Sequence, residues 1–189
     1  MIFSVGIKVD FMEFIKTKIY GCFIIEKKYF KDERGYFTRA FCRDTFQEYG
    51  LNANFVQSNI SQNEKKYTLR GLHSQIAPNS EDKLVMCSRG HILDVCVDVN
   101  PESPTYKLYV AAELSEKNGR CLYIPKGCAH GYLTLSDNSQ VIYYSTCNYA
   151  PESEKCYKFD DPAFNIDWGI NYDLMIISEK DKNHKLIGE

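Results

Sequence analysis

The chain has 189 residues, a hydrophobic fraction of 44%, a charged fraction of 25% and a formal net charge of -2. This length favours a single domain with a substantial core, and the small net charge gives no general attraction to nucleic acid or to an anionic membrane surface. Because no apolar run approaches the roughly 20 residues of a membrane-spanning helix, we expect no membrane partner and expect any anionic ligand to be held by local basic residues.

Recognisable structural pattern begins near Ile15. We therefore interpret residues 1–14 as an N-terminal extension and residues 15–189 as one domain. The opening of the chain lacks the basic region, apolar run and small-residue cleavage site of a signal peptide.

Short alternating segments separated by turn residues recur about every ten residues along the domain. The segments predicted as strands are residues 16–26, 36–41, 54–61, 83–87, 92–99, 106–111, 120–125, 129–135 and 139–145. Helical pattern is confined to 43–49, which is followed by a Gly50 stop signal, and to a short stretch within 176–189. Many short strands with regular turns are typical of an all-β sandwich or barrel.

The eight cysteines form no CxxC pair and therefore give no zinc-site spacing. Five of them are placed in strand-like runs, where a free cysteine behaves as a small apolar residue: Cys22, Cys87, Cys96, Cys121 and Cys147. We expect free thiols and a reducing, cytoplasmic location.

One predicted strand carries neutral polar residues at alternate positions. Gln57, Asn59 and Ser61 share one face, because side chains alternate along a strand. This face suits either the solvent side of an edge strand or a pocket wall that hydrogen-bonds a sugar or a base.

The segment 69–75, together with Lys83, concentrates groups suited to acid–base chemistry. It brings Arg70, His73 and Lys83 into about fifteen residues. An imidazole titrates near neutral pH and is a good proton acceptor, while nearby cations hold an anionic substrate or a developing oxyanion. The segment predicts a proton-transfer site for a phosphorylated ligand, although a lone histidine is more often a structural residue that makes a hydrogen bond. No glycine-rich dinucleotide loop is present, so we expect no redox cofactor.

The pattern G-x5-P-x-G-x2-H, which ends at His130, resembles the second motif of the cupin superfamily of small jelly rolls. In metal-binding cupins this histidine joins an HxH pair and a glutamate, but the earlier segment here reads H-S-Q from His73. A first-row metal site needs three or four ligands in fixed geometry. We therefore expect no bound metal and disfavour a metal-dependent cupin dioxygenase.

Further motifs follow one another in order: DERGYF at 32–37, FVQSN at 55–59, LRGLH at 69–73, KLV at 83–85, DVCVD at 94–98, SPT at 103–105, IPxG at 124–127, AHG at 129–131 and DDP at 160–162. Together they resemble the dTDP-4-dehydrorhamnose 3,5-epimerase family, a branch of the cupin superfamily, over about residues 15–185. The resemblance implies a cupin-type double-stranded β-helix (jelly roll) with short peripheral helices. It also implies a cofactor-independent epimerase that inverts C3, C5 or both in a nucleotide-linked 4-keto-6-deoxyhexose, with a role in deoxysugar and surface polysaccharide synthesis.

The resemblance assigns proton-transfer roles to four residues. His73 is the base, Asp181 orients it and stabilises its charge, Tyr143 is the acid on the opposite face, and Lys83 steadies the enolate oxygen. Considered by itself, Tyr143 would be read as a core aromatic residue with a satisfied hydroxyl. Tyr144 is its neighbour and rival, and it faces the other side of a regular strand.

The resemblance also implies a substrate-binding set. Cationic residues are expected at the diphosphate and the sugar: Arg34 and Arg70 at the diphosphate, and His130 and Lys180 near the sugar. Neutral, aromatic and acidic residues are expected at the nucleotide: Gln57, Ser58, Asn59, Tyr149 stacking on the base, and Glu154.

Two positions depart from the family pattern. Arg39, which we include in the predicted substrate-binding set, stands where a nucleotide-side carboxylate is usual, and Ser74 stands where an aromatic residue is usual. These departures leave the fold and the proton chemistry unchanged, but they leave open which nucleotide and sugar are bound.

The resemblance implies a homodimer in which the strand at 34–39 is exchanged towards the partner's pocket. The alternative functions are a single-centre C3 or C5 epimerase, a sugar-nucleotide 3,4-ketoisomerase, and a catalytically silent sugar-nucleotide-binding cupin. The silent protein would be expected to lose His73, Tyr143 or Asp181, all of which this chain retains.

Overall fold

The structure is a computed structural model that describes residues 11–188. Most of the predicted N-terminal extension lies outside these residues. Its last part does not behave as an extension, because β1 (Met12–Lys16) pairs antiparallel with β2 (Phe23–Lys27). Met12 and Phe14 alternate into the core, so the ordered domain reaches back beyond the predicted boundary at residue 15.

Two sheets make up the body of the molecule. The first has the strand order β1, β2, β10 (Cys121–Ile124), β7 (Lys83–Arg89), β12 (Ser139–Ser145), β5 (Gln57–Asn63). The second has the order β13 (Glu154–Cys156), β6 (Thr68–Gln75), β11 (Cys128–Thr134), β8 (His91–Asp98), β9 (Tyr109–Ser115), and β14 (Ile176–Ile177) pairs parallel with β6. A separate hairpin is formed by β3 (Phe30–Asp32) and β4 (Gly35–Phe37).

The helices are short and peripheral: α1 (Arg43–Glu48), α2 (Glu179–Lys182), and the single 3-10 turns Pro151–Ser153 and Tyr172–Leu174. The predicted all-β jelly roll with two short helices is therefore confirmed. No helix within residues 11–188 is long and apolar enough to cross a membrane.

The core explains why several strands are apolar throughout rather than alternating. Val85 packs in a cluster with Cys96 and Tyr132 of the second sheet, whereas its neighbour Leu84 packs with Phe46 of α1 on the other face of the first sheet. A third cluster covers the second sheet and includes the fully buried Trp168. Strands covered on both faces lose the polar alternation of a half-exposed strand.

The cysteines remain unpaired. All eight are free, and Cys22, Cys87, Cys96, Cys121 and Cys128 are buried. Cys147 lies in a bend after β12 rather than in a strand, so its predicted placement was wrong by a short distance.

Candidate active site

A cavity of about 410 Å³ is lined by residues of both sheets. The first sheet contributes Gln57, Asn59, Ser61, Lys83 and Tyr143, and the second contributes Arg70, His73, Ser74, Gln75, His130, Tyr132 and Glu154; Glu81 and Tyr149 come from loops. The prediction that Gln57, Asn59 and Ser61 share a face is confirmed, and of the two alternatives this face forms a pocket wall.

His73 and Asp181 form a hydrogen-bonded pair at the cavity. The His73 Nε2 and Asp181 Oδ1 atoms are 2.9 Å apart. Asp181 is 5% exposed, and its second carboxylate oxygen accepts a hydrogen bond of 3.3 Å from the Gly71 amide. Ser178 caps α2 by accepting a hydrogen bond from the Asp181 amide, which fixes the position of the carboxylate.

The ionisation of Asp181 determines which nitrogen of His73 is free. Burial raises the pKa of Asp181, but the hydrogen bond and charge of His73, the Gly71 amide and the charge of His184 outweigh burial and lower it. An ionised carboxylate accepts hydrogen bonds and does not donate them. Nε2 of His73 therefore carries the proton in the neutral ring, and the lone pair on Nδ1 remains available to accept a proton.

Tyr143 reaches the same cavity from the facing sheet. It lies on β12, next to Asn59 of β5. Burial raises the pKa of its phenol, with a further increase from Glu81 and an opposing effect of Arg70, so the hydroxyl keeps its proton near neutral pH. Tyr144 points to the other side and packs against Phe55, with ring centroids 5.8 Å apart, as the alternation predicted.

Lys83 is nearly buried and ion-paired. Its Nζ lies 3.1 Å from Glu81 Oε1, and the two side chains are 10% and 11% exposed. Glu81 in turn accepts a hydrogen bond from the Ser145 hydroxyl. Glu81 could not be predicted from the sequence, because it lies in a polar loop segment that gives only a turn signal.

His130 forms a hydrogen bond with the buried carboxylate of Asp94. Its Nε2 lies 2.7 Å from Oδ1 of Asp94, which is 0% exposed. Burial raises the pKa of Asp94, against opposing effects of His130 and Lys83. His130 and His73 are register partners on the adjacent strands β11 and β6, so two imidazoles form part of the cavity wall, and Asp94 lies behind that of His130.

A hydrogen-bonded polar network holds Arg70. Its Nε donates to Asn63 Oδ1 at 2.8 Å. The Asn63 amide contacts the Tyr132 hydroxyl, which donates to Ser61 Oγ at 2.7 Å. This network fixes the guanidinium at the cavity, where it can bind an anion.

Gln57, Asn59 and Tyr149, which are predicted to contact the nucleotide, lie together in the cavity lining. Gln57 accepts a hydrogen bond of 3.0 Å from the Tyr149 amide and donates to Asn59. Tyr149 is 55% exposed, and its ring is therefore free to stack on a base. Glu154 lines the cavity, whereas Lys180 lies outside the lining and pairs with Glu154 at 2.8 Å.

Three further predicted binding residues do not line this cavity. Ser58 lies on the opposite face of β5, because its position alternates with Gln57 and Asn59. Arg34 lies in the exposed β3–β4 turn beside Asp32, and the Arg39 guanidinium stacks on Phe11 at 4.0 Å from the ring centroid. None of the three is therefore part of the cavity lining of its own chain, and their contact with the substrate stays a prediction.

Comparisons with known proteins agree on one family. A family model described as dTDP-4-dehydrorhamnose 3,5-epimerase matches residues 16–189. The dTDP-4-dehydrorhamnose 3,5-epimerase of Methanothermobacter thermautotrophicus is 45% identical over 177 residues, which span 93% of this chain and 95% of that protein.

Solved structures agree with the sequence relatives. The crystal structure of dTDP-4-dehydrorhamnose 3,5-epimerase from Elizabethkingia anophelis is 41% identical, with a TM-score of 0.90, and the match covers 94% of this chain and 97% of that one. The dTDP-6-deoxy-D-glucose-3,5-epimerase of Legionella pneumophila, solved in complex with dTDP-4-keto-L-rhamnose, is 40% identical with a TM-score of 0.87 and 93% coverage of each chain.

Proposed function

The chain belongs to the dTDP-4-dehydrorhamnose 3,5-epimerase family, and from this premise we propose how its cavity carries out the epimerisation. The substrate is a dTDP-linked 4-keto-6-deoxyhexose, and the enzyme inverts C3 and C5 without a redox step. The observation that carries the proposal is that His73 and Tyr143 enter one cavity from opposite sheets.

The reaction follows from the acidity of the sugar. The hydrogens on C3 and C5 are alpha to the C4 ketone, so removing either one gives an enolate whose charge rests on O4. His73, oriented by Asp181, takes the proton on one face. Tyr143 returns a proton to the other face, which inverts the centre.

Lys83 stabilises the enolate. A cation in a cavity from which water is largely excluded acts strongly on charge that develops during the reaction. Glu81 lies 3.1 Å from the ammonium, and so holds Lys83 in a fixed position before the substrate binds.

Different residues of the cavity recognise the diphosphate, the sugar and the nucleotide of the substrate. Arg70 binds the diphosphate, and His130 contacts the sugar. Gln57 and Asn59 hydrogen-bond the nucleotide, and Tyr149 stacks on its base. Each of these five residues lines the cavity.

The functional unit is a homodimer. The β3–β4 hairpin exposes apolar rings, with Tyr36 61% and Phe37 62% exposed, and the edge strand β5 exposes Ile60 at 67%. An exposed apolar hairpin and an exposed apolar residue on an edge strand are each typical of a protein–protein contact. In this arrangement Arg34 and Arg39 reach the partner's diphosphate site, which accounts for their distance from the cavity of their own chain.

The location is the cytoplasm. All eight cysteines are free, which supports a reducing compartment.

The deciding experiment is incubation of the purified protein with dTDP-4-keto-6-deoxyglucose in deuterated water, followed by NMR of the sugar. Deuterium at C3 and C5 with inversion of both centres is the expected result, whereas label at one centre would indicate a single epimerase and movement of the carbonyl a ketoisomerase. His73→Ala should abolish exchange while nucleotide binding survives. Retained exchange in that variant would refute His73 as the base, and an absence of exchange with any 4-keto sugar nucleotide would overturn the proposal.

A further inference from the structure

Three side chains with nitrogen or sulfur donor atoms converge beside the base. Cys156 is the register partner of His73 across the β13–β6 pair. His184 follows α2 and places its ring edge-on to that of His73, with centroids 5.4 Å apart and planes inclined at 74°. Ligand atoms of His73, Cys156 and His184 all lie within 4.8 Å of one another.

The His184 ring is nearly buried and makes no side-chain hydrogen bond within residues 11–188. Its side chain is 7% exposed, and neither ring nitrogen has a hydrogen-bond partner among the described residues. The Asp181 Oδ1 atom is 3.6 Å from Nε2, which is longer than a hydrogen bond. Burying an imidazole without a partner costs free energy, so an unpartnered buried ring beside two other donors indicates a ligand.

We propose that His73, Cys156 and His184 form a binding site for a divalent transition metal of the zinc class, and that metal bound there inhibits the enzyme. The inhibition rests on the proposed function, because a metal on His73 occupies the ring that must accept the substrate proton. The metal site itself does not depend on that role.

The donor set selects the class of metal. Two imidazole nitrogens and one thiolate suit Zn²⁺ and Co²⁺, while Mg²⁺ and Ca²⁺ require oxygen ligands. With bonds of about 2.0–2.3 Å, tetrahedral ligands are separated by about 3.3–3.8 Å. From a separation of up to 4.8 Å, the donors must therefore close in by about 1.5 Å at most, which is within the reach of side-chain rotation.

The surrounding charges allow a dication. Asp181 contributes a negative charge next to both histidines, and the nearby cation Lys180 is already paired with Glu154. Burial raises the pKa of Cys156 to about 11, so the thiol is neutral before binding. As the Sγ–metal bond forms, the thiol proton passes to solvent.

Metal binding is tested on the full-length protein with Co²⁺ alone. A thiolate-to-cobalt charge-transfer band in the near ultraviolet reports the Cys156 bond, and calorimetry with Zn²⁺ reports affinity. Cys156→Ser should abolish the band and weaken Zn²⁺ binding at least about tenfold. The matched control is Cys147→Ser, which alters another half-buried free thiol and should leave both readouts unchanged.

The second ligand is tested with a matched pair of histidines. His184→Ala should weaken Zn²⁺ binding at least about tenfold, whereas His91→Ala, which removes a ring paired with Glu113 at 3.0 Å, should not. Inhibition is then measured as the ratio of deuterium exchange with and without Zn²⁺ in each protein. Wild type should lose exchange and recover it on chelation, and Cys156→Ser should resist Zn²⁺ at the concentration that inhibits wild type.

A measurement on wild type alone keeps the proposal testable if the variants fold poorly. Zn²⁺ should protect Cys156, but not Cys147, from alkylation as read by peptide mass spectrometry. Equal alkylation of Cys156 with and without Zn²⁺, or a cobalt band that survives Cys156→Ser, would overturn the metal site. Specific binding without loss of exchange would instead overturn the proposed inhibition and leave the metal site standing.

Discussion

The His73 imidazole and the Asp181 carboxylate are separated by 108 positions in the chain, yet Nε2 and Oδ1 lie 2.9 Å apart. This contact joins the second sheet to α2, and the Gly71 amide holds the other carboxylate oxygen. The proposed base, His73, is therefore oriented by a residue of the last helix, and we expect its chemistry to depend on the folding of the C-terminal segment.

Asp181→Asn should impair proton transfer without impairing binding. The amide cannot stabilise an imidazolium, and it permits the wrong tautomer of His73, so we expect deuterium exchange to slow by about 100-fold or more. Isothermal titration with dTDP should give nearly the wild-type Kd. Asp173→Asn, on an exposed 3-10 turn, is the control, and exchange at the wild-type rate in Asp181→Asn would show that the carboxylate has no part in the chemistry.

The same pair should contribute to acid stability. The pKa of Asp181 is lowered in the folded protein, so its contact stabilises the fold at pH values above the unfolded pKa of about 3.9. This contribution to stability is lost as the pH falls through the lower pKa that Asp181 has in the folded protein. The difference in unfolding free energy between wild type and Asp181→Asn, measured by urea unfolding, should therefore become smaller as the pH is reduced through this range.

Tyr143→Phe should separate exchange from inversion. His73 can still remove and return a proton on its own face, so deuterium should enter with retained configuration, while inversion falls by about 100-fold. Tyr144→Phe is a matched control, because that ring faces Phe55 on the other side of the strand. NMR of the product measures both quantities, and undiminished inversion in Tyr143→Phe would assign the acid to another group.

Much of this site could be predicted because period-two alternation fixes the direction of a side chain. Gln57 and Asn59 line the cavity, and Tyr143 and Tyr144 diverge for the same reason. Alternation also counts against Ser58, which faces away, although the resemblance placed it with its neighbours.

The misses of Glu81 and His184 have a common physical cause, since each depends on distance in space rather than on local pattern. Glu81 lies in a loop, and only the folded structure brings it into contact with Lys83 and Ser145. His184 lies in a charged terminal segment with no periodicity, and only the docking of α2 on β6 brings it to His73. The strand at Met12 was missed because two alternating apolar residues are too few to recognise.

Lys83→Met should remove the stabilisation of the enolate. The methionine keeps most of the aliphatic volume but leaves Glu81 without its partner and O4 without a cation, so exchange should slow by about 100- to 1000-fold. Lys117→Met, in the exposed turn after β9, controls for loss of a positive charge. Comparable exchange rates in the two variants would exclude Lys83 from the reaction.

Ile60→Lys should disrupt the proposed homodimer. Ile60 is 67% exposed on the edge strand β5, and a buried charge at an apolar contact is costly. Sedimentation velocity should show monomers for this variant and dimers for wild type. Leu174→Lys, which changes a residue that is 58% exposed away from β5, should remain dimeric; a dimeric Ile60→Lys would remove β5 from the interface.

Gly71→Ala and Gly35→Ala should distinguish backbone strain from steric collision. The two glycines have nearly equal φ values of +131° and +129°, but a Cβ at Gly71 would lie 2.5 Å from Gly131 Cα, whereas at Gly35 nothing lies within 4 Å. Strain alone should cost each variant about 1–3 kcal/mol of unfolding free energy. The collision between β6 and β11 should cost Gly71→Ala about 2 kcal/mol more, measured by urea unfolding. Because these strands carry His73 and His130, Gly71→Ala should also slow exchange; equal losses of stability in both variants would mean that the strands separate freely and that their close approach does not position the two imidazoles.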